Sequence, residues 1–181
     1  MRLNINLGFK EKLSLPIHYN NILQAVILNW IGDENYQKFI HDCGFKFEKR
    51  KYKLFTFSKI YGKFEINRER KTIDFFDNAH FTISSLENKF LNYLALNVIE
   101  KDNFKFGNNI VGVDSIESVH NKISEREEVY TKSPIVIYST FKNYVGNKTY
   151  YYNPLEREFS ELIRKNLIHI MANCLEEMIF P

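Results

Sequence analysis

The spacing of apolar residues switches along this chain between every second residue and helical spacing. The order of those switches is the strongest constraint on its fold. Residues 2–9 set Leu3, Ile5, Leu7 and Phe9 on one face, the alternation of a half-buried strand. A loop containing Pro16 is expected next. Residues 20–31 carry Ile22, Leu23, Val26, Ile27, Trp30 and Ile31 at helical spacing, and Gly32 ends the run. Asp33 is placed to cap a second, short helix through about residue 42, with Tyr36, Phe39, Ile40 and Cys43 as its apolar face and Gly44 as its stop. Strands are expected at about 53–58, 62–67, 72–76 and 79–83. Ser84 and Glu87 have capping-box spacing and open a helix to about Val98 that buries Leu86, Phe90, Leu91 and Leu94. A strand near 109–118 completes the series.

Strand, helix, paired strands, helix, strand is the βαββαβ order of a ferredoxin-like (RRM-like) α+β domain, expected over residues 1–120. Residues 121–132 fall in a polar, charged stretch and suit a linker or exposed loop. A new strand is expected over Ser133–Ser139. A helix follows, capped by Asn153, with Pro154 at its first position, Glu156 three residues after the cap, and Leu155, Phe159, Leu162 and Ile163 on one face. One strand and one helix cannot bury both faces alone. Residues 133–181 are therefore expected to form an incomplete second ferredoxin-like unit, and 181 residues are enough for one such unit but short for two.

Several classes are excluded. No apolar run approaches the roughly 18 residues that span a bilayer, and the N-terminus is too polar for a signal peptide. Aromatic residues make up 15% of the chain, which argues against disorder. Cys43 and Cys174 form neither a metal-ligand spacing nor a disulfide framework. A reducing, cytoplasmic setting with no membrane partner is the expectation.

The formal net charge of +3 is unevenly spread. Residues 46–71 hold ten Lys/Arg and three acids, so this segment carries +7 and the remainder −4. Phe47, Tyr52, Phe55, Phe57, Tyr61 and Phe64 interleave with the basic residues. A basic stripe with aromatics is the footprint of a polyanion binder. The chain is also rich in Lys, Asn, Ile and Phe, as an AT-rich genome would encode, and a lysine-rich hairpin is as often a solvated face.

No glycine-rich phosphate loop, zinc pattern, nucleophile elbow or ribonucleoprotein-type aromatic octapeptide is present, so no metal and no cofactor are expected. Among five histidines, His41 stands out. On a helical wheel it falls off the stripe of Tyr36, Phe39, Ile40 and Cys43, in the last turn of its helix and just before the basic segment. An imidazole there can reach solvent or a bound phosphate. Beside a lysine it suits RNA backbone cleavage, one group serving proton transfer and the other offsetting phosphorane charge. The bland alternative is a surface histidine at a helix end.

Several stretches, in their order and spacing, resemble one family. They are Leu15-Pro16-Ile17-His18-Tyr19-Asn20, Leu23-Gln24-Ala25, Ile40-His41-Asp42-Cys43-Gly44-Phe45, Tyr52-Lys53-Leu54-Phe55-Thr56-Phe57-Ser58, Ser133-Pro134-Ile135 and Asn153-Pro154-Leu155-Glu156. They look like the CRISPR-associated repeat-cleaving endoribonuclease, the sixth Cas protein family, over about residues 2–167. The resemblance implies two tandem ferredoxin-like domains and cleavage of the CRISPR transcript within each repeat. It implies a metal-independent reaction in which the ribose 2′-hydroxyl attacks phosphorus, leaving a 2′,3′-cyclic phosphate and a 5′-hydroxyl. His41 matches the family's acid/base histidine, and Lys53 matches a lysine that assists in some members. The tyrosine some members carry in the first helix falls at Leu28; Tyr36 and Tyr52 are the candidates to take its place. A glycine-rich loop of the second domain has no counterpart, and residues 170–181 depart from the expected continuation, which reads as a C-terminally truncated product.

On this reading His41 and Lys53 are the expected catalytic residues. Lys49, Arg50, Lys51, Lys59 and Lys63 are expected to track the RNA backbone, through contacts that weaken with salt. CRISPR repeat RNA is the expected partner, with other CRISPR-associated proteins as further candidates. The alternatives are a non-catalytic RNA-binding module and a structural subunit of a CRISPR ribonucleoprotein complex.

Overall fold

The computed structural model describes residues 1–47, 50–119, 125–126, 128–131, 133–144 and 146–179, without the side chains of 47, 50, 143 and 173–179. The chain divides into two compact units, Met1–Asn121 and Lys122–Pro181. Half of the stretch 121–132 lies outside the described residues.

In the first unit, β1 (Arg2–Gly8) buries Leu3, Ile5 and Leu7. The loop expected around Pro16 is instead a second strand, β2 (Lys12–Pro16), with Leu13 and Leu15 buried in the same alternation. Both strands lie along one edge of β7 (Thr72–Ser85), β1 against residues 84–79 and β2 against 76–72. The opposite edge of β7 takes β5 (Phe55–Phe57) and β6 (Tyr61–Asn67).

The two strands expected at 72–76 and 79–83 are thus one, because both halves pair on both sides and the break is only a bulge. Asp77 there has φ 60°, and the β6 register shifts between Gly62 and Lys63. A Cβ on Gly62 would lie 2.7 Å from the Asn78 carbonyl oxygen, so the close approach needs glycine. β9 (Asn109–Val119) pairs with the free edge of β1 and in turn with β8 (Phe104–Phe106). The order β9–β1–β7–β5/β6, antiparallel throughout, is the split βαββαβ sheet of a ferredoxin-like α+β fold.

Helices α1 (Asn20–Asn29) and α3 (Asn88–Glu100) supply Leu23, Val26, Ile27 and Leu28, and Phe90, Leu91, Leu94 and Val98, to one core with the apolar rows of the sheet. Trp30, at the end of α1, stacks on Phe81 at 6.0 Å and meets Phe104 edge-on at 5.1 Å. The other row of β1 is polar and bonded: Thr82 Oγ1 donates to Asn4 Oδ1 and Asn6 Nδ2 to Ser115 Oγ. The Ser84–Glu87 capping box does not form. Ser85 Oγ accepts the Glu87 amide, the Glu87 carboxylate accepts the Tyr36 hydroxyl, and Leu86 precedes the helix with 62% of its surface exposed.

The second unit is a hairpin, β10 (Tyr138–Asn143) with β11 (Gly146–Tyr151), followed by α4 (Arg157–Ile179). Only Tyr138 and Ser139 of the strand expected over 133–139 are in β10; Asn143 facing Gly146 sets its end. Asn153 and Glu156 form a reciprocal box: Asn153 Oδ1 accepts the Leu155 amide and Glu156 Oε2 the Asn153 amide. Leu155 precedes the helix and is 95% exposed, so it is not part of the apolar face, while Phe159, Leu162 and Ile163 are half-buried. Among the described residues no helix is long and apolar enough to cross a membrane.

Candidate active site

Asp33 Oδ1 accepts the Tyr36 amide at 2.8 Å and starts α2 (Glu34–Lys38). Tyr36 is buried, and its hydroxyl bond to Glu87 anchors α2 to the start of α3. The helix then widens into a π-helical turn, Phe39–Cys43, closed by the Gly44 amide donating to the Phe39 carbonyl at 2.7 Å. Each residue of a π turn advances the helix by less than the usual 100°. Ile40 stays buried, while Cys43, expected on the apolar face, is rotated out and exposed.

His41 sits in this turn with 66% of its side chain exposed, and its Nδ1 lies 2.6 Å from Asp42 Oδ1. The His41 hydrogen bond, with the positive charges of His41, Lys38 and Lys51 behind it, holds the Asp42 carboxyl below the usual carboxylate range. Asp42 is therefore ionised at neutral pH.

Gly44 joins the turn to a hairpin of β3 (Phe45–Phe47) and β4 (Arg50–Tyr52). Its φ of 60° and ψ of −174° belong to glycine, and an added Cβ would lie 2.7 Å from the Tyr52 carbonyl oxygen. Gly44→Ala is expected to cost about 1–3 kcal/mol and to move the amide resonances of residues 51–53; a urea midpoint and amide spectrum matching wild type would contradict this tight junction. Lys51 Nζ donates to the Asp42 carbonyl at 3.1 Å, tying β4 to the turn.

The pairing of Phe45 with Tyr52, continued by one residue, sets Gly44 against Lys53, which is half-buried. Leu54 follows at φ 52°, and its carbonyl accepts Ser85 Oγ at 2.9 Å and the Leu86 amide at 3.2 Å. The backbone beside Lys53 is thereby fixed to the end of β7.

A shallow pocket of about 360 Å³ lies between α1 and the turn, lined by Leu28 and Asn29 on one side and Glu34, Lys38, His41 and Asp42 on the other. Lys53 is not in its wall. Leu28, where the sequence resemblance would have placed a tyrosine, is a buried part of its wall. Of the candidate replacements, Tyr36 is engaged by Glu87, and the Tyr52 hydroxyl is buried with no hydrogen-bond partner among the described residues.

The remaining expected contacts are spread more widely. Lys59 Nζ lies over the Tyr61 ring at 5.3 Å, and Lys63 Nζ lies 4.0 Å from Asp77 Oδ2 on exposed β6. Lys49 lies outside the described residues, as does the side chain of Arg50. Sequence reasoning missed Asp42 and Lys38. The available signals were their positions beside His41 and one turn before it. Among the described residues, no group of three or more His, Cys, Asp or Glu side chains is arranged to hold a metal ion.

Residues 116–180 match the family model for CRISPR associated protein Cas6, C-terminal. The match takes in β10, β11 and α4 and runs through most of the segment 170–181. A curated relative, CRISPR-associated endoribonuclease Cas6 1 of Methanocaldococcus jannaschii, is 27% identical over 173 residues, 92% of this chain. The chain spans 64% of that relative's length. A solved structure described as CRISPR associated protein Cas6 superposes with a TM-score of 0.60 at 25% identity, covering 88% of this chain and 64% of its own. Two others share the fold: a Cas6-related protein from Pyrococcus furiosus (TM-score 0.66, 22% identity, 99% of this chain and 71% of its own) and a RAMP protein binding different RNA substrates (0.64, 24%, 99% and 72%). The split sheet of the first unit, the family model matched over the C-terminal residues and the curated relative agree in what this chain is similar to: proteins of the Cas6 type.

Proposed function

We propose that this chain is a CRISPR-associated endoribonuclease that processes precursor CRISPR RNA by cutting within each repeat. The reaction is metal-independent: the ribose 2′-oxygen bonds to the adjacent phosphorus as it gives up its proton. The bond from phosphorus to the 5′-oxygen then breaks, and that oxygen takes a proton. The products are a 2′,3′-cyclic phosphate and a 5′-hydroxyl.

The observation that carries this reading is the exposed His41 imidazole, bonded through Nδ1 to Asp42 in a turn flanked by Lys38 and Lys51. Nε2 is then the nitrogen available to exchange a proton with RNA, and a positioned acid or base contributes about 10²–10⁴-fold. Lys53 and Lys51 stabilise the charge gathering on the phosphorane oxygens. Lys49, Arg50, Lys51, Lys59 and Lys63 hold the RNA backbone.

One observation favours a second reading, a non-catalytic RNA-binding module or a structural subunit of a CRISPR ribonucleoprotein. The pocket wall opposite His41 offers Leu28 where a hydroxyl could act. Labelled repeat RNA incubated with the protein in EDTA separates the two. Cleavage ending in a cyclic phosphate, blocked by a 2′-deoxy nucleotide at the cut, is the expected result. Binding without cleavage would favour the module, and cutting of the 2′-deoxy RNA would exclude the proposed nucleophile.

A further inference from the structure

The Asp42 carboxylate lies 2.6 Å from Nδ1 of the His41 ring, and it is one residue away in a turn fixed at both ends. Gly44 closes the turn on Phe39, and Lys51 holds the Asp42 carbonyl from β4. We propose, resting on the enzymatic reading above, that Asp42 is a positioning residue: its carboxylate holds His41 in the tautomer protonated on Nδ1, so that Nε2 faces the RNA as the working nitrogen.

An ionised carboxylate only accepts hydrogen bonds, so at 2.6 Å the proton between them belongs to Nδ1. The bond also fixes the plane of a ring that is otherwise largely free in solvent. Glu34 and Lys38 of α2 share the pocket, Lys51 reaches the turn from β4, and α1 contributes only uncharged side chains. Among the described residues, Asp42 is therefore the group there with both the charge and the contact to select a tautomer.

Asn at this position keeps the shape but can turn its amide N–H toward Nδ1. That favours the opposite tautomer, with Nε2 protonated and unable to act as a base. Asp42→Asn is expected to lower kcat about tenfold to 100-fold, part of what a positioned acid or base supplies, with KM for repeat RNA within about twofold. A loss confined to KM, or an unchanged kcat, would overturn the proposal.

Nitrogen-15 spectra of the histidine rings give a readout that needs no activity. At a pH where the ring is neutral, wild-type His41 is expected as the Nδ1–H form, and Asp42→Asn as predominantly Nε2–H. A wild-type ring protonated on Nε2, or the same tautomer in both proteins, would overturn the proposal. Unaltered cleavage by His41→Ala would instead sink the role of His41 in the enzymatic reading.

Discussion

Repeat RNA mixed with a His41→Ala protein is expected to be bound but cut about 10²–10⁴-fold more slowly than by wild type, the range a positioned acid or base supplies. The substitution removes an exposed ring that contributes little to the core, so the urea midpoint should stay within about 0.5 kcal/mol of wild type. RNA affinity should change by less than about threefold, since the backbone contacts are assigned to the basic residues of 49–63. Single-turnover cleavage with excess protein separates the chemical step from binding. Cleavage by His41→Ala within about threefold of wild type would remove His41 from the chemistry and leave a surface histidine at a helix end.

The largest effect on stability is expected at Trp30, the chain's one tryptophan. Its ring is 1% exposed between Phe81 of β7 and Phe104 of β8, and its carbonyl accepts Asn97 Nδ2 of α3 at 3.0 Å. Trp30→Ala leaves a cavity where the end of α1, α3 and the sheet meet, at a cost of about 3–5 kcal/mol. Because the substitution removes the fluorophore, far-UV circular dichroism in urea is the suitable measurement. A loss below about 1 kcal/mol would show that the site collapses around alanine and that the ring does not organise this corner of the core. A drop large enough to unfold the first unit at 25 °C would carry the His41 turn with it, since α2 follows Trp30 within a few residues.

What could be read from sequence follows from how locally each feature is caused. β1, α1, α3 and β9 carry their own periodicity, and each appears close to its expected span. β2 was hidden because five residues ending in proline resemble a loop; only pairing with β7 makes Leu13 and Leu15 a strand. The bulge at Asp77 looked like a strand end because its polar residues break the alternation, while the neighbours on both sides continue.

At the candidate site, a uniform 100° wheel carried His41 outward and Ile40 inward correctly but misplaced Cys43. A π turn has no composition of its own and arises from how α2 is held at Tyr36 and Gly44. The Tyr36–Glu87 bond joins residues 51 apart in sequence, and no local pattern announces it. The same holds for Lys51 reaching back to Asp42, which depends on the β3–β4 hairpin.

The first strand of the chain lies between β7 and β9, and this order has a kinetic cost. Arg2 pairs with Ser84 on one side and with Val119 on the other. During synthesis the apolar row of Leu3, Ile5 and Leu7 thus waits for most of the first unit to emerge before either neighbour is present. The β6–β7 hairpin, closed across Asn67 and Thr72, can form early because its partners are adjacent. The last pairing, β9 onto β1, closes a loop of nearly the whole unit and carries the largest entropy of closure. Folding of this unit should therefore be limited by the docking of its N-terminal strand, with the β6–β7 hairpin as the template.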